Sequence, residues 1–345
     1  MPNTRTSSLP LNRRQAMALG LGAAAVSALP MRSAFAADKV IFRTNWLFYG
    51  SHAIFFLGID KGYYGQDNLD VVVKQGNGSG ATTRLVANKD STFAYCSAVT
   101  MMKLAAQGAP VMSVATIDAM GTDAVIVNPD SGIKTFKDLE GKKVLTTAGA
   151  GVNTLFPVAA KNAGVDIDKI QITNVAESAL VSSYLQGLAP AMLGGIDDKP
   201  AEIEANGGKT PIAFNYADYG VAQPGYAIVA HRDTVKDNPD LVKRFVHATL
   251  EAVKDAKADP DSAIAAIINW NASMEEDKVK VQARKVLDVT LSILISPNNK
   301  EKRLGLNVAE DWDSALALLE KYNDLKTDMT GAPWAASFIM VTAEQ

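Results

Sequence analysis

The feature that most constrains this chain is an alternation of strand-like and helix-like segments that runs through once, restarts, and then gives way to helices. In the first pass, Lys39 to Thr44 reads as a strand and His52 to Lys61 as a helix, with Ser51 as its cap and Gly62 as its stop. A second strand follows at Leu69 to Val73, and a turn at Gly76 to Gly80 opens a helix over Thr82 to Asn88. A strand at Thr92 to Tyr95, a helix at Val99 to Gln107 and a strand at Val111 to Thr116 complete the pass. The second pass places strands at Ala124 to Val127, Lys143 to Thr146, Ile170 to Asn174, Pro190 to Gly195 and Pro211 to Asn215. Its helices fall at Thr154 to Asn162, Ser178 to Gln186 and Pro200 to Asn206. One more strand, Tyr226 to Ala230, precedes a helical pattern from Asp240 to Leu325.

Such alternation predicts an α/β fold with largely parallel sheets. Two passes predict two lobes: 38–122 joined by 225–345, and 123–224. Ligands of open α/β sheets bind in the crevice beyond the carboxyl ends of the strands. The expected contacts therefore lie in the loops after them: 46–52, 77–81, Ser97, 149–153, Asp197 and 216–219.

Composition enters by exclusion. Hydrophobic residues make up 48% and charged residues 21%, which supports a packed core and argues against disorder. The formal net charge is −3 with bases scattered among acids, so no basic stripe marks a nucleic-acid binder. Cys96 is the single cysteine, and His52, His231 and His247 stand far apart in sequence. No metal motif and no cofactor are expected from that set.

The first 36 residues read as an address. They hold four arginines and no acid, with Arg13-Arg14 ahead of an apolar run from Ala16 to Leu29 and then Ala34-Phe35-Ala36. Charged start, apolar middle and small-residue exit predict a signal peptide cleaved after Ala36. The twin arginines point to the Tat route, with an ordinary Sec signal as the alternative. Four of the 34 bases lie in this segment, so the remainder carries 30 against 37 acids, net −7. The apolar run is shorter than the roughly 20 residues a bilayer span needs. Export to the periplasm follows from this reading.

Several short motifs, in their order and spacing, resemble one family. They are Thr44-Asn45-Trp46, His52, Lys61-Gly62-Tyr63-Tyr64 and Asn68-Leu69-Asp70-Val71. Further along come Gly78-Ser79-Gly80, Gln107 to Val111, Gly225 to Val229, and Gly305-Leu306-Asn307 with Trp312. The family is that of periplasmic solute-binding proteins of the nitrate, sulfonate and taurine importer class, together with thiamine-pyrimidine-precursor binders. The resemblance implies a type II two-lobed protein that closes on its solute about a hinge. It implies an inner-membrane ABC permease as partner, no turnover, and a monomer. Asn45 departs from the family's usual aspartate before the tryptophan, and Gly149-Ala150-Gly151 replaces a longer loop.

The site expected from these positions has a lobe-one half and a lobe-two half. Trp46 offers a platform for a ring, His52 a donor or acceptor, and Ser79, Gly80 and Ala81 backbone N–H groups at a helix start. Ser97 completes the first half. Gly149, Gly151 and Asn153 repeat the glycine-rich helix start in lobe two, where Asn153 also fits a helix cap. Asp197 is a carboxylate for an amino or amidine-like group, although either it or Asp198 also fits a cap. Tyr216 and Tyr219 are expected to close over a ring. Tyr49, Phe55, Phe56, Tyr63 and Tyr64 read mostly as core. Several aromatics in one cleft favour a flat heterocycle or aromatic acid over a sulfonate, taurine or nitrate. Two other roles use the same cleft: a domain docking on a membrane receptor, and a thiamine-pyrimidine synthase. The synthase relative carries a clustered cysteine motif, whereas this chain has Cys96 alone.

Overall fold

The computed structural model describes residues 36–322. The proposed signal peptide lies outside the described residues except for Ala36, as does the end of the helical pattern beyond Tyr322.

The chain opens with β1 (Asp38–Arg43), a single 3₁₀ turn at Gly50–His52, and α1 (Ala53–Asp60). Then come α2 (Tyr63–Gln66), β2 (Leu69–Lys74), α3 (Ser79–Ala87), β3 (Phe93–Ser97), α4 (Ala98–Ala106) and β4 (Val111–Thr116). After a crossing segment follow β5 (Asp123–Val127), β6 (Lys143–Thr146), α5 (Phe156–Asn162), β7 (Gln171–Asn174) and α6 (Glu177–Leu185). The pass ends with β8 (Ala191–Gly195), α7 (Lys199–Ala205) and β9 (Ile212–Asn215). A second crossing leads to β10 (Tyr226–His231) and to α8 (Arg232–Asp237), α9 (Pro239–Ala258), α10 (Pro260–Trp270), α11 (Asp277–Ser292) and α12 (Ala309–Tyr322).

Two five-stranded sheets result, in the orders β2-β1-β3-β10-β4 and β7-β6-β8-β5-β9. Neither is wholly parallel. β10 runs antiparallel to β3 and β4, and β5 antiparallel to β8 and β9. The other four strands of each sheet run parallel to one another, so the sheets are largely parallel as expected, and the one antiparallel strand in each has a physical reason. A strand that arrives from the other sheet enters at the cleft and runs away from it, opposite to its neighbours. Tyr226 therefore pairs with Ser97, the last residue of β3, and Asp123 with Gly195, the last of β8.

The two crossings are laced together. Gly121 N–H donates to Gln223 O and Gly225 N–H to Asp118 O, both at 2.8 Å. A Cβ on Gly225 would lie 2.6 Å from Met120 O, so the crossing admits no side chain there.

Local signals set the helix ends. Ser97 caps α4 by accepting from Thr100 N–H. Asn238 and Asp259 cap α9 and α10, each followed by a proline whose missing N–H costs nothing at that position. The core of the first lobe is aromatic. Phe93 and Phe245 stack at 4.3 Å between centroids, and Phe42 meets Phe55 edge-on at 4.6 Å. These contacts fix β1, β3, α1 and α9 against one another. Asn307 Oδ1 accepts from Ser113 and Thr116, and Trp312 Nε1 donates to Thr116 at 3.2 Å, which ties α12 to β4. The second lobe packs Ile126, Leu145, Leu180, Tyr184, Met192 and Ile203 into a core of its own.

Candidate functional site

The lobes touch on both sides of the cleft. Thr100 and Thr154 share a hydroxyl hydrogen bond at 3.3 Å, and Lys285 on α11 pairs with Glu204 on α7 at 3.0 Å. A cavity partly open to solvent is lined from both lobes. Asn45, Trp46, Tyr49 and Ser79 line it from the first lobe, and Tyr226 and Asp123 from the crossing strands. Gly151, Glu177, Asp197, Asp198 and Lys199 line it from the second.

The loop after β1 is held from behind. Gly76 N–H donates to Trp46 O and Gly78 N–H to Asn45 O, so the glycine turn before α3 clamps the loop. Gly78 has φ +92°, a conformation that favours glycine, and a Cβ there would sit 3.0 Å from Gly149 O of the other lobe. Behind Asn45, His52 Nε2 lies 2.8 Å from Asn45 Oδ1. The amide oxygen only accepts, so Nε2 carries the proton. Burial pushes the His52 pKa down to about 3, so the ring is neutral, and it positions Asn45.

The opposite wall is acidic. Burial raises Asp198 to about 8 against the pull of Lys199, and raises Asp197 as well. Burial also raises Asp123 to about 6, although Gln223 Nε2 donates to its carboxylate at 2.8 Å. Just behind, Asp118 accepts from Tyr95 Oη at 2.6 Å, and burial, reinforced by the charge of Asp197, lifts it to about 8. Lys199 is 5% exposed and lies 2.9 Å from Glu177, 3.1 Å from Asp198 and 3.0 Å from Glu202. Burial opposes its charge, but the three carboxylates outweigh that and hold its pKa well above the usual lysine value.

These shifts carry a sign. Asp118, Asp123 and Asp198 all have folded pKa values above the unfolded one near 3.9, so their contribution to stability is fully present below about pH 4. It is lost as pH rises through about 6 and then about 8. Thermal melts of the ligand-free protein are expected to fall between pH 5.5 and pH 8.5, with Asp118 alone supplying on the order of 3 kcal/mol. Asp118→Asn keeps an acceptor for Tyr95 and should flatten that slope; an unchanged slope would remove Asp118 as its source.

Of the residues expected from sequence, Trp46, Ser79, Gly151 and Asp197 line the cavity. Gly80, Gly149 and Asn153 instead line an adjoining hollow with Thr100 and Thr154. Asn153 is no helix cap: its amide donates to Thr147 O while its oxygen accepts from Thr146. His52 is fully buried one layer back, because its ring bonds to Asn45. Ala81 is exposed on α3. Ser97 caps α4, and its N–H donates to Ser79 Oγ. Tyr216 is 1% exposed and packs against Phe156, while the half-buried Tyr219 meets Phe136 edge-on at 4.7 Å, so both rings pack onto the second lobe and neither lines the cavity. Asp198 begins α7 without capping it by its side chain, which pairs with Lys199 instead. Asn45, Asp123, Glu177, Lys199 and Tyr226 complete the wall and were not singled out from sequence as site residues, and Tyr49, read from sequence mostly as core, lines it too.

Two α/β lobes laced by two crossings around a central cavity define the periplasmic-binding-protein fold. The chain belongs to the NMT1/THI5-like family, whose profile matches residues 50–263. It is 25% identical over 239 residues to a putative thiamine biosynthesis protein of Haemophilus influenzae, covering 68% of this chain and 74% of that one. It is 21% identical over 297 residues to the formylaminopyrimidine-binding protein of Halalkalibacterium halodurans, covering 84% and 87%. Among solved structures, the alkanesulfonate-binding protein SsuA of Xanthomonas axonopodis pv. citri matches with a TM-score of 0.64 at 12% identity, over 84% of this chain and 94% of that one. Among the described residues, no helix is long and apolar enough to cross a membrane.

Proposed function

We propose that this chain is the extracytoplasmic solute-binding component of an ABC-type importer, and that its solute is a flat nitrogen heterocycle held between the lobes. The observation that carries this reading is the cavity wall: Trp46, Tyr49 and Tyr226 supply aromatic side chains, and Asp123, Asp197 and Asp198 supply carboxyls as acceptors for N–H groups. The names of two relatives point the same way, one binding formylaminopyrimidine and one, from Chloroflexus aurantiacus, riboflavin. A sulfonate or nitrate needs free donors and positive charge, and the lysine in this wall is already paired. One relative is a pyrimidine phosphate synthase of Schizosaccharomyces pombe. Against turnover of that kind stand the lone cysteine and a His52 buried behind Asn45.

In this reading residues 1–36 direct export and are removed, lobe one receives the solute on Trp46, and lobe two closes about the crossings at 117–122 and 216–225. Closure shifts a population between open and closed forms, and the permease reads the closed surface.

A thermal-shift screen tests the reading with pyrimidines, other heterocycles, aromatic carboxylates, alkyl sulfonates, taurine and nitrate. A ligand at 100 times its dissociation constant adds about 2.7 kcal/mol. Stabilisation by a heterocycle, recovered chemically unchanged by mass spectrometry, is the expected result. Stabilisation by sulfonate or nitrate alone overturns the solute class, and conversion of the bound molecule overturns the importer role. Trp46→Ala should weaken binding of the responding heterocycle at least tenfold, about 1.4 kcal/mol, in calorimetry. Undiminished affinity would take Trp46 out of the binding surface.

A further inference from the structure

The cavity wall holds more carboxyl groups than its own bases can pair. Asp123, Glu177, Asp197 and Asp198 all line it, and Lys199 is the single base among the lining residues. That ammonium is committed to Glu177, Asp198 and Glu202, all on the second lobe, within 3.1 Å. Arg84 and Lys103 line the adjoining hollow, outside this cavity. A second, independent observation lies in the crossing segments that back the same wall. Asp118 is 1% exposed, and its Oδ1 has no hydrogen-bond partner although Oδ2 accepts from Tyr95. Gln223 Oε1, beside Asp123, is likewise buried without a donor. Unpartnered polar oxygens just behind the wall, next to lining carboxyls that lack a base, describe surroundings suited to N–H groups and positive charge from outside. Trp46, Tyr49 and Tyr226 line the same cavity, and aromatic rings attract a cation placed over them.

We propose that this cavity selects a planar organic cation, with one positive charge spread over N–H donors of the amidinium or aminopyrimidinium kind, and rejects anions of the same shape. The proposal rests on the cavity being the solute site, and it adds the charge that the solute must carry. Among the described residues, no three histidine, cysteine or acidic groups are placed to hold a metal ion, whereas a row of N–H donors suits the spread of acceptors along the wall. It follows that cation binding displaces protons. Asp118, Asp123, Asp197 and Asp198 all hold protons more tightly than free carboxylates do. The other groups that face them are Glu177 and Glu202 on α6 and α7, Lys199, and the hydroxyls of Tyr49, Tyr95, Tyr216 and Tyr226. None of the tyrosines ionises near neutral pH, so the protons released come from the carboxyls.

The test uses probes of one size and shape. Benzamidinium, benzamide and benzoate carry charges of plus one, zero and minus one; 4-amino-2-methylpyrimidine and benzenesulfonate extend the set. Titration calorimetry of the purified protein is expected to show the cation binding at least 30-fold tighter than the neutral amide, with no binding of benzoate or benzenesulfonate at millimolar concentration. At pH 7, two buffers with different ionisation heats should show proton release on binding. Asp197→Asn should cut the preference for benzamidinium over benzamide at least tenfold, the cation losing more affinity than the amide. Asp123→Asn, which keeps its acceptor for Gln223, serves the same purpose if the first variant fails to fold. A neutral heterocycle that binds tighter than every cation overturns the charge selection and leaves the heterocycle reading standing. Tightest binding of benzenesulfonate overturns both. Equal affinities, no binding by any cation, or no proton release also overturn the charge selection.

Discussion

Replacing Lys199 by methionine is expected to lower the melting temperature of the ligand-free protein by on the order of 10 °C at pH 7.5. The aliphatic stem is not the issue, since methionine fills the space that Gly194 leaves beside it. What disappears is the ammonium that sits within 3.1 Å of Glu177, Asp198 and Glu202. Removing one partner from a buried ion cluster typically costs about 3–5 kcal/mol, because the remaining charges stay desolvated and repel. At the usual conversion of about 2–4 °C per kcal/mol, that is a large shift. Lys199 and its partners all belong to the second lobe, so the loss is one of folding and not of closure alone. The pH dependence identifies the cause. Asp198 already has a raised pKa with the lysine present, and without it protonation relieves the repulsion. The gap between variant and parent should therefore narrow toward pH 5 and widen toward pH 8.5. A drop of less than about 2 °C at pH 7.5, or a gap independent of pH, would show that the cluster is solvated and contributes little.

How much of this was legible in the sequence depends on the kind of signal. The alternation of strands and helices was legible because burial on a pleated or helical face has a period. The positions of Trp46, Ser79 and Asp197 followed from it, since each stands after a strand whose carboxyl end meets the cleft. Asp123 and Tyr226 were missed because they begin strands. They reach the cleft only because β5 and β10 enter from the crossings and run antiparallel, a property of topology with no local pattern. The aromatics show the same limit. Tyr49 and Tyr216 look alike in sequence, yet Tyr49 lines the cavity and Tyr216 is buried inside the second lobe. His52 illustrates a third case. Its place at a helix start suggested a group facing the solute, but the ring turns inward and spends its proton on Asn45. Asn45 itself, standing where the family usually has aspartate, is the atom set that meets the cavity. A chemical role inferred for the histidine thus passes to its partner.

Gly151→Val is expected to weaken solute binding by about 100-fold, or about 2.7 kcal/mol, without lowering the melting temperature of the ligand-free protein. Gly151 belongs to the second lobe, at the start of the 3₁₀ turn Gly151–Asn153. Its backbone is not in the left-handed region, so a side chain strains nothing locally. The obstacle lies across the cleft. A Cβ at this position would meet Ser97 Cβ at 2.9 Å and Thr100 Oγ1 at 3.6 Å, and the two methyl groups of valine add to the clash. In the proposed hinge motion these atoms meet only in the closed arrangement, so the substitution penalises closure and spares the open form. Apparent affinity falls in proportion to the fraction of molecules able to close. Trp46 and Ser79 remain available on the first lobe, which leaves weak residual binding. Small-angle scattering should then show that saturating solute no longer contracts the variant. Gly151 also lines the cavity, so lost affinity can arise from direct contact with solute. Ser97→Gly separates the two causes. It removes the opposing Cβ and, as a glycine in a capping position, costs only a few tenths of a kcal/mol. If the clash governs, the double variant recovers much of the lost affinity and contracts again with solute, a coupling that a double-mutant cycle reads directly. If it recovers neither, the glycine serves the solute surface, and closure tolerates a side chain at the seam between the lobes.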